Sequence, residues 1–266
     1  MNASALLLVL LLPLPALADC RIALALALDD PRSVDAADYE IQRLGLIAAL
    51  NDPAIREALL QPRDRVNLAI YEWSGEAYQA MVADWQQIDS AAQIDALAAR
   101  IQQHQRPEQL MLTAMGVALV YGLALIDRAP PCARQVIDIS GDGQNNLGIR
   151  PATAYKRHDF GAIMVNGLAI GEHESQIFRY YQQEVIRGPG AFVQLAQRQA
   201  DFPRAIRRKL LRELTEPVLG QETIDPVPAW RDTVGATSSG GVGRVTGIND
   251  HQRRPGPVGA LRDPQG

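Results

Sequence analysis

Residues Ile22 to Ser33, IALALALDDPRS, constrain the fold more than any other stretch of the chain. Seven apolar residues run unbroken into two carboxylates, a proline, an arginine and a serine. An apolar run without polar alternation predicts a strand covered on both faces, as in the middle of a parallel sheet. Ligands of open parallel sheets gather just beyond the carboxyl ends of such strands, so Asp29, Asp30 and Ser33 are the first candidate site residues.

The rest of the chain supplies the layers that such a strand needs. Asp35 to Leu50 carries apolar residues at helical spacing, with Ser33 or Asp35 able to cap its start. A short helical piece around Ile55 to Leu60 precedes a second strand over Val66 to Trp73. Tyr78 to Trp85 returns after too few residues for a parallel crossover, which predicts an antiparallel edge strand with Trp73 and Trp85 paired across the hairpin. Helices follow over 88–104, capped by Asp89 or Ser90, and over 110–126, the second apolar enough to be buried. Arg134 to Ser140 is the next strand and ends in Gly141-Asp142-Gly143-Gln144-Asn145-Asn146, a loop rich in turn formers and oxygens. A helix over 151–159, a strand over 161–170, a helix over 175–185, a strand over 192–195 and a helix over 202–214 complete the alternation. Arg204, Arg207, Arg208 and Lys209 read as the solvated face of that last helix.

Leu6 to Leu17 is too short to span a bilayer, and Ala16-Leu17-Ala18 fits a signal peptidase site, which predicts a signal peptide over 1–18. A rival reading takes Leu17-Ala18-Asp19-Cys20 as a lipoprotein box, although Asp19 fits poorly before such a cysteine. No later stretch suits a transmembrane segment, so the expected location is periplasmic or secreted. The domain is expected over 19–214, and a Pro/Gly-rich, disordered tail over 215–266. A formal net charge of -4 gives no electrostatic reason to expect a nucleic-acid partner. The only cysteines, Cys20 and Cys132, each precede a strand-like run. Export permits a disulfide between them, and two unpaired small core residues are the alternative.

Three features together, Asp29-x-x-x-Ser33 after the first strand, a helical segment around Thr113, and Ile139-Ser140-Gly141-Asp142-Gly143 after the fourth, resemble a von Willebrand factor A-type domain. The stretches VIDISGDGQNN (136–146), VNGLAI (165–170), YYQQEVIRGPGAFV (180–193) and FPRAIRRKLLREL (202–214) are more closely similar to a bacterial family of secreted, poorly characterised proteins of that type. The resemblance implies an α/β, Rossmann-like three-layer sandwich: a mostly parallel central sheet with one antiparallel edge strand and helices on both faces. It also implies neighbouring first and fourth strands, and a disulfide between Cys20 and Cys132. The family's metal-ion-dependent adhesion site binds Mg²⁺ through an Asp-x-Ser-x-Ser loop, a later Thr and a later Asp, since a hard cation wants oxygen ligands. Asp29 matches the first Asp, Ser33 the second Ser and Asp142 the later Asp, while Pro31 stands in place of the first Ser. The family's Thr falls near Leu112, one residue from Thr113. The site is therefore expected to be degenerate, with Asp30, Thr113 and Asn145 at its rim.

Blander readings stand beside these. Asp142 serves equally as a turn former, Asn145 and Asn146 as pins for the loop, Thr113 to Gly116 as a close helix contact, and His158 and His173 as surface residues. Ser140 lacks a nucleophile-elbow pattern and a histidine base. Two function classes remain. One is a non-catalytic exported domain that recognises a protein partner through this loop face. The other is a Mg²⁺-assisted hydrolase of phosphate or related esters; it needs an Asp-x-Asp pair that Asp29-Asp30-Pro31 does not supply.

Overall fold

A computed structural model describes residues 20–30, 34–62, 64–106, 112–172 and 174–215. The expected signal peptide, Pro31, Ser33, His173 and the tail beyond Thr215 lie outside the described residues. Strand β1 (Cys20–Asp29) leads into α1 (Ala36–Leu50) and α2 (Pro53–Leu59), then β2 (Arg65–Trp73) and β3 (Gln79–Gln87). Helices α3 (Ala91–Gln103) and α4 (Met115–Ile126) connect to β4 (Arg134–Gly141). The chain continues through α5 (Pro151–Arg157), β5 (Met164–Ile170), α6 (Ile177–Tyr180), a π-helical turn Tyr181–Val185, β6 (Val193–Ala196), a 3-10 turn Gln199–Asp201 and α7 (Phe202–Thr215).

The sheet order is β3-β2-β1-β4-β5-β6. All pairs are parallel except β2 with β3. β1 is flanked on both edges, and its side chains alternate between two cores. Leu24, Leu26 and Leu28 pack under α1, α2, α3 and α7, while Ala25 and Ala27 face α4 and the π-helical turn. The small alanines let α4 lie close. At the amino-terminal edge β1 and β4 bring Cys20 and Cys132 into a disulfide, Cα to Cα 4.5 Å, so the expected bridge is present.

Local chemistry sets the helix starts. Asp35 caps α1 by accepting from the amides of Ala37 and Asp38. Ser90 caps α3 in a reciprocal box with Gln93. The last helical stretch before β6 departs from expectation: only Ile177–Tyr180 is α-helical, and the chain then widens into the π turn. The two tryptophans also differ from the expected cross-strand pair. Trp73 lies opposite Gln79, because the tight turn between β2 and β3 pairs the strand ends directly and leaves Trp85 farther along β3, where its indole donates to the Leu125 carbonyl instead.

Candidate functional site

β1 and β4 deliver two carboxylates to the carboxyl-terminal edge of the sheet. Asp29 is the last residue of β1 and Asp142 follows β4, and both are buried. Neither Asp29 oxygen has a hydrogen-bond partner among the described residues. Burial lifts the Asp29 carboxyl well above the usual range; the Asp142 and Asp30 charges add to this, and the nearby Asp142 amide opposes it. A buried carboxylate without donors is costly unless a proton or a cation accompanies it.

The β4–α5 loop is tied to the start of α4. The Thr113 amide donates to Asn146 Oδ1 at 2.8 Å, the Gly116 amide to Asn145 Oδ1 at 3.1 Å, and the Asn145 amide to the Tyr180 hydroxyl at 3.2 Å. Asn145 and Asn146 therefore pin the loop, as the bland reading held. Gly116 permits the contact, because a Cβ there would stand 2.1 Å from the Ile149 carbonyl oxygen. Thr113 is buried, with its Oγ1 3.5 Å from the place of a Cβ on Gly143, next to Asp142, while Leu112 is 46% exposed. Ser140 donates to the Ala27 carbonyl and serves the sheet. His158 is exposed.

Asp30 points to the opposite face of the sheet. Its Oδ1 accepts from Arg106 at 2.8 Å, and Arg106 also donates to the Val34 carbonyl and lies over the Tyr39 ring. Burial pushes the Asp30 carboxyl up to about 6, with Arg106 opposing. Beside it, Glu72 accepts from the Tyr39 hydroxyl at 2.8 Å and pairs with His104 Nε2 at 2.9 Å. The pairing with Glu72 raises the His104 pKa against partial burial. Arg106 therefore bridges Asp30 and Val34, the described residues on either side of 31–33. Sequence patterning gave no sign of this cluster, because its members lie on four separate segments, the end of β1, α1, β2 and the stretch after α3.

A second unforeseen network fastens α7 to the sheet. Lys209 has no exposed surface, and its Nζ lies 2.8 Å from Asp138 Oδ1 and 3.0 Å from Glu213 Oε1. Asn166 donates to Glu213 Oε1 and accepts from the Phe192 amide. The solvated-face reading holds for the exposed Arg204 and Arg207 and fails for Lys209, whose position on the helix faces β4 and β5. The apolar spacing of Ile206, Leu210 and Leu214 surrounds Lys209 and was the available signal.

On the loop face a polar groove of about 270 Å³ opens next to Asn145, with Gln144, Arg150, Arg179, Tyr180 and Glu184 on its walls. Among the described residues no group of three or more His, Cys, Asp or Glu side chains is placed to hold a metal ion, so carboxylates alone do not complete a cation site there.

The sheet order and the helices on both faces give the chain a von Willebrand factor A-like fold. A family model described as "Protein of unknown function (DUF1194)" matches residues 19–218, and the chain belongs to that family. No curated protein matches the chain. Among solved structures it is similar to a von Willebrand factor type A protein from Catenulispora acidiphila, at 15% identity and TM-score 0.54 over 73% of this chain and 43% of that one. It is similar to proximal thread matrix protein 1 from the mussel byssus with a zinc-occupied MIDAS motif, at 11% identity and TM-score 0.52, covering 74% of this chain and 46% of that one. It is also similar to the pilus adhesin SpaC from Lactobacillus rhamnosus GG, at 13% identity and TM-score 0.52, covering 73% of this chain and 30% of that one. The chain thus spans less than half the length of each of these. No helix among the described residues is long and apolar enough to cross a membrane.

Proposed function

We propose that this chain is an exported, non-catalytic binding domain. It recognises a protein partner through the loops at the carboxyl ends of β1, β4 and β5, around a degenerate metal-ion-dependent adhesion site of Asp29, Ser33 and Asp142. The observation that carries the reading is Asp29: buried at the end of the central strand, beside a second carboxylate, with no side-chain donor to either oxygen among the described residues and only the Asp142 amide nearby. A site with only oxygen donors suits a hard divalent cation such as Mg²⁺. Asp29 and Asp142 would hold it, Ser33 and Thr113 supply hydroxyls, and the cation when bound would offer an open position to a partner carboxylate. Arg150 and Arg179 in the adjoining groove add positive charge to the surface the partner would meet.

The zinc-occupied motif and the adhesin among the structural neighbours support the class of activity by analogy of fold alone. Capture from envelope extracts, with wild type and Asp29→Ala each in Mg²⁺ and in chelator, tests the reading. A partner retained by wild type in Mg²⁺ and lost in chelator and in the variant is the expected result. Retention in all four arms would place recognition on another surface. Turnover in a phosphatase and esterase screen, abolished by Asp29→Asn, would replace the binding reading with the hydrolase one.

A further inference from the structure

Tyr181 is fully buried, and its hydroxyl has no hydrogen-bond partner among the described residues. Leaving such a group unpaired is costly, and the fold makes unusual arrangements to put it there. The π turn begins at Tyr181 itself, with the Ile186 amide closing on the Tyr181 carbonyl at 3.0 Å, and such wide turns cluster at functional sites. Two strand glycines clear the path. A Cβ on Gly167 would stand 2.4 Å from Tyr181 Cδ1. A Cβ on Gly141 would stand 2.9 Å from the Tyr181 hydroxyl and 2.6 Å from Asp29 Oδ2. Interior glycines in strands mark such close approaches.

The two unpartnered groups, a hydroxyl and a carboxylate, thus converge on the same point above Gly141. Their separation is less than the sum of those two distances, within reach of a small rotamer change or a single bridging water. We infer that the Tyr181 hydroxyl is the outer donor that orients the Asp29 carboxylate toward a divalent cation, giving Asp29 the support that Pro31, having no side-chain oxygen, does not provide. Ligating carboxylates are ordinarily held by such outer-shell donors, and their loss weakens metal affinity without removing a ligand. Tyr181 acts here through Asp29 and is a positioning residue. The inference rests on the proposed cation site.

The test is calorimetric titration of Mn²⁺ into the full chain as wild type, Tyr181→Phe and Gly167→Ala, with melting in chelator recorded for each. Tyr181→Phe keeps the ring and should melt in chelator at or above the wild-type temperature, since an unpaired hydroxyl has gone. It should nevertheless bind Mn²⁺ roughly tenfold to hundredfold more weakly. Gly167→Ala, which displaces the ring, should lower affinity in the same direction. Equal affinity in wild type and Tyr181→Phe would overturn the role of Tyr181 and leave the cation site standing. Absence of Mn²⁺ binding in wild type would overturn the cation site and this inference with it.

Discussion

Replacing Lys209 by methionine should be among the most damaging single changes available in this domain. The methylene stem is conserved in volume, so packing changes little and the loss is electrostatic. In the wild type one ammonium with no exposed surface faces Asp138 at 2.8 Å and Glu213 at 3.0 Å. Removing it leaves two buried carboxylates without their cation. Breaking a buried pair from one side costs about 3–5 kcal/mol. For a domain of this size each kcal/mol moves the melting temperature by about 2–4 °C, so the drop should be on the order of 10 °C. The sign of the pH dependence follows from Asp138. Burial raises its carboxyl and Lys209 opposes the rise, so the variant raises it further. A carboxyl whose folded pKa lies above its unfolded value loses stability as pH rises from the unfolded value through the folded one. The deficit of Lys209→Met should therefore be largest near pH 8 and smaller near pH 5. Urea unfolding with the disulfide intact measures it, as a shift in midpoint at unchanged slope. Neutralising the partners together, as Lys209→Met with Asp138→Asn and Glu213→Gln, should recover much of the loss. A single-variant cost below about 1 kcal/mol, the level of an exposed pair, would refute the argument.

His104 pairs with Glu72, so its pKa lies above that of a free imidazole; the stability it contributes is complete below the unfolded pKa and fades as pH rises through the folded one. The difference in unfolding free energy between wild type and His104→Gln should shrink from pH 6 to pH 9, and a growing difference would contradict the assignment. The Cys20–Cys132 bridge closes a separation of 112 residues, for which chain entropy predicts about 4–5 kcal/mol lost in the double serine variant, read as the urea midpoint against oxidised wild type. Pro31→Ser, which restores a hydroxyl to the loop after β1, should raise Mg²⁺ affinity in titration calorimetry; no gain would mean that the loop is aligned wrongly with the family.

The elements that rest on periodicity were legible from the chain. β1 declares itself by seven apolar residues in a row, and the short β2–β3 connection leaves no room for anything but an antiparallel return. Where local patterns compete, reading fell short. The stretch over 175–185 has helical spacing, yet tertiary demands on Tyr181 widen its second half into a π turn. Lys209 carries a charge that suggests solvent, while its place among Ile206, Leu210 and Leu214 dictates burial. At the site, Asp29 and Asp142 stand out because they end predicted strands. Tyr181 was hidden, since its approach to Asp29 depends on a space left by Gly141 and Gly167 on two strands. Those interior glycines were the only trace of it. The cluster of Asp30, Glu72, His104 and Arg106 left no trace, because ion pairs between distant segments have no period.

Asp29 and Asp142 are the proposed core of a cation-dependent recognition site at the end of β1. Crystals of the domain soaked in Mn²⁺ test it most directly, through the anomalous scattering of the ion. The expected result is a peak within coordination distance of both carboxylates, at about the 2.0–2.1 Å of a Mg²⁺-like ion with oxygen ligands. No peak there at saturating Mn²⁺, with Asp29 ordered, would contradict it.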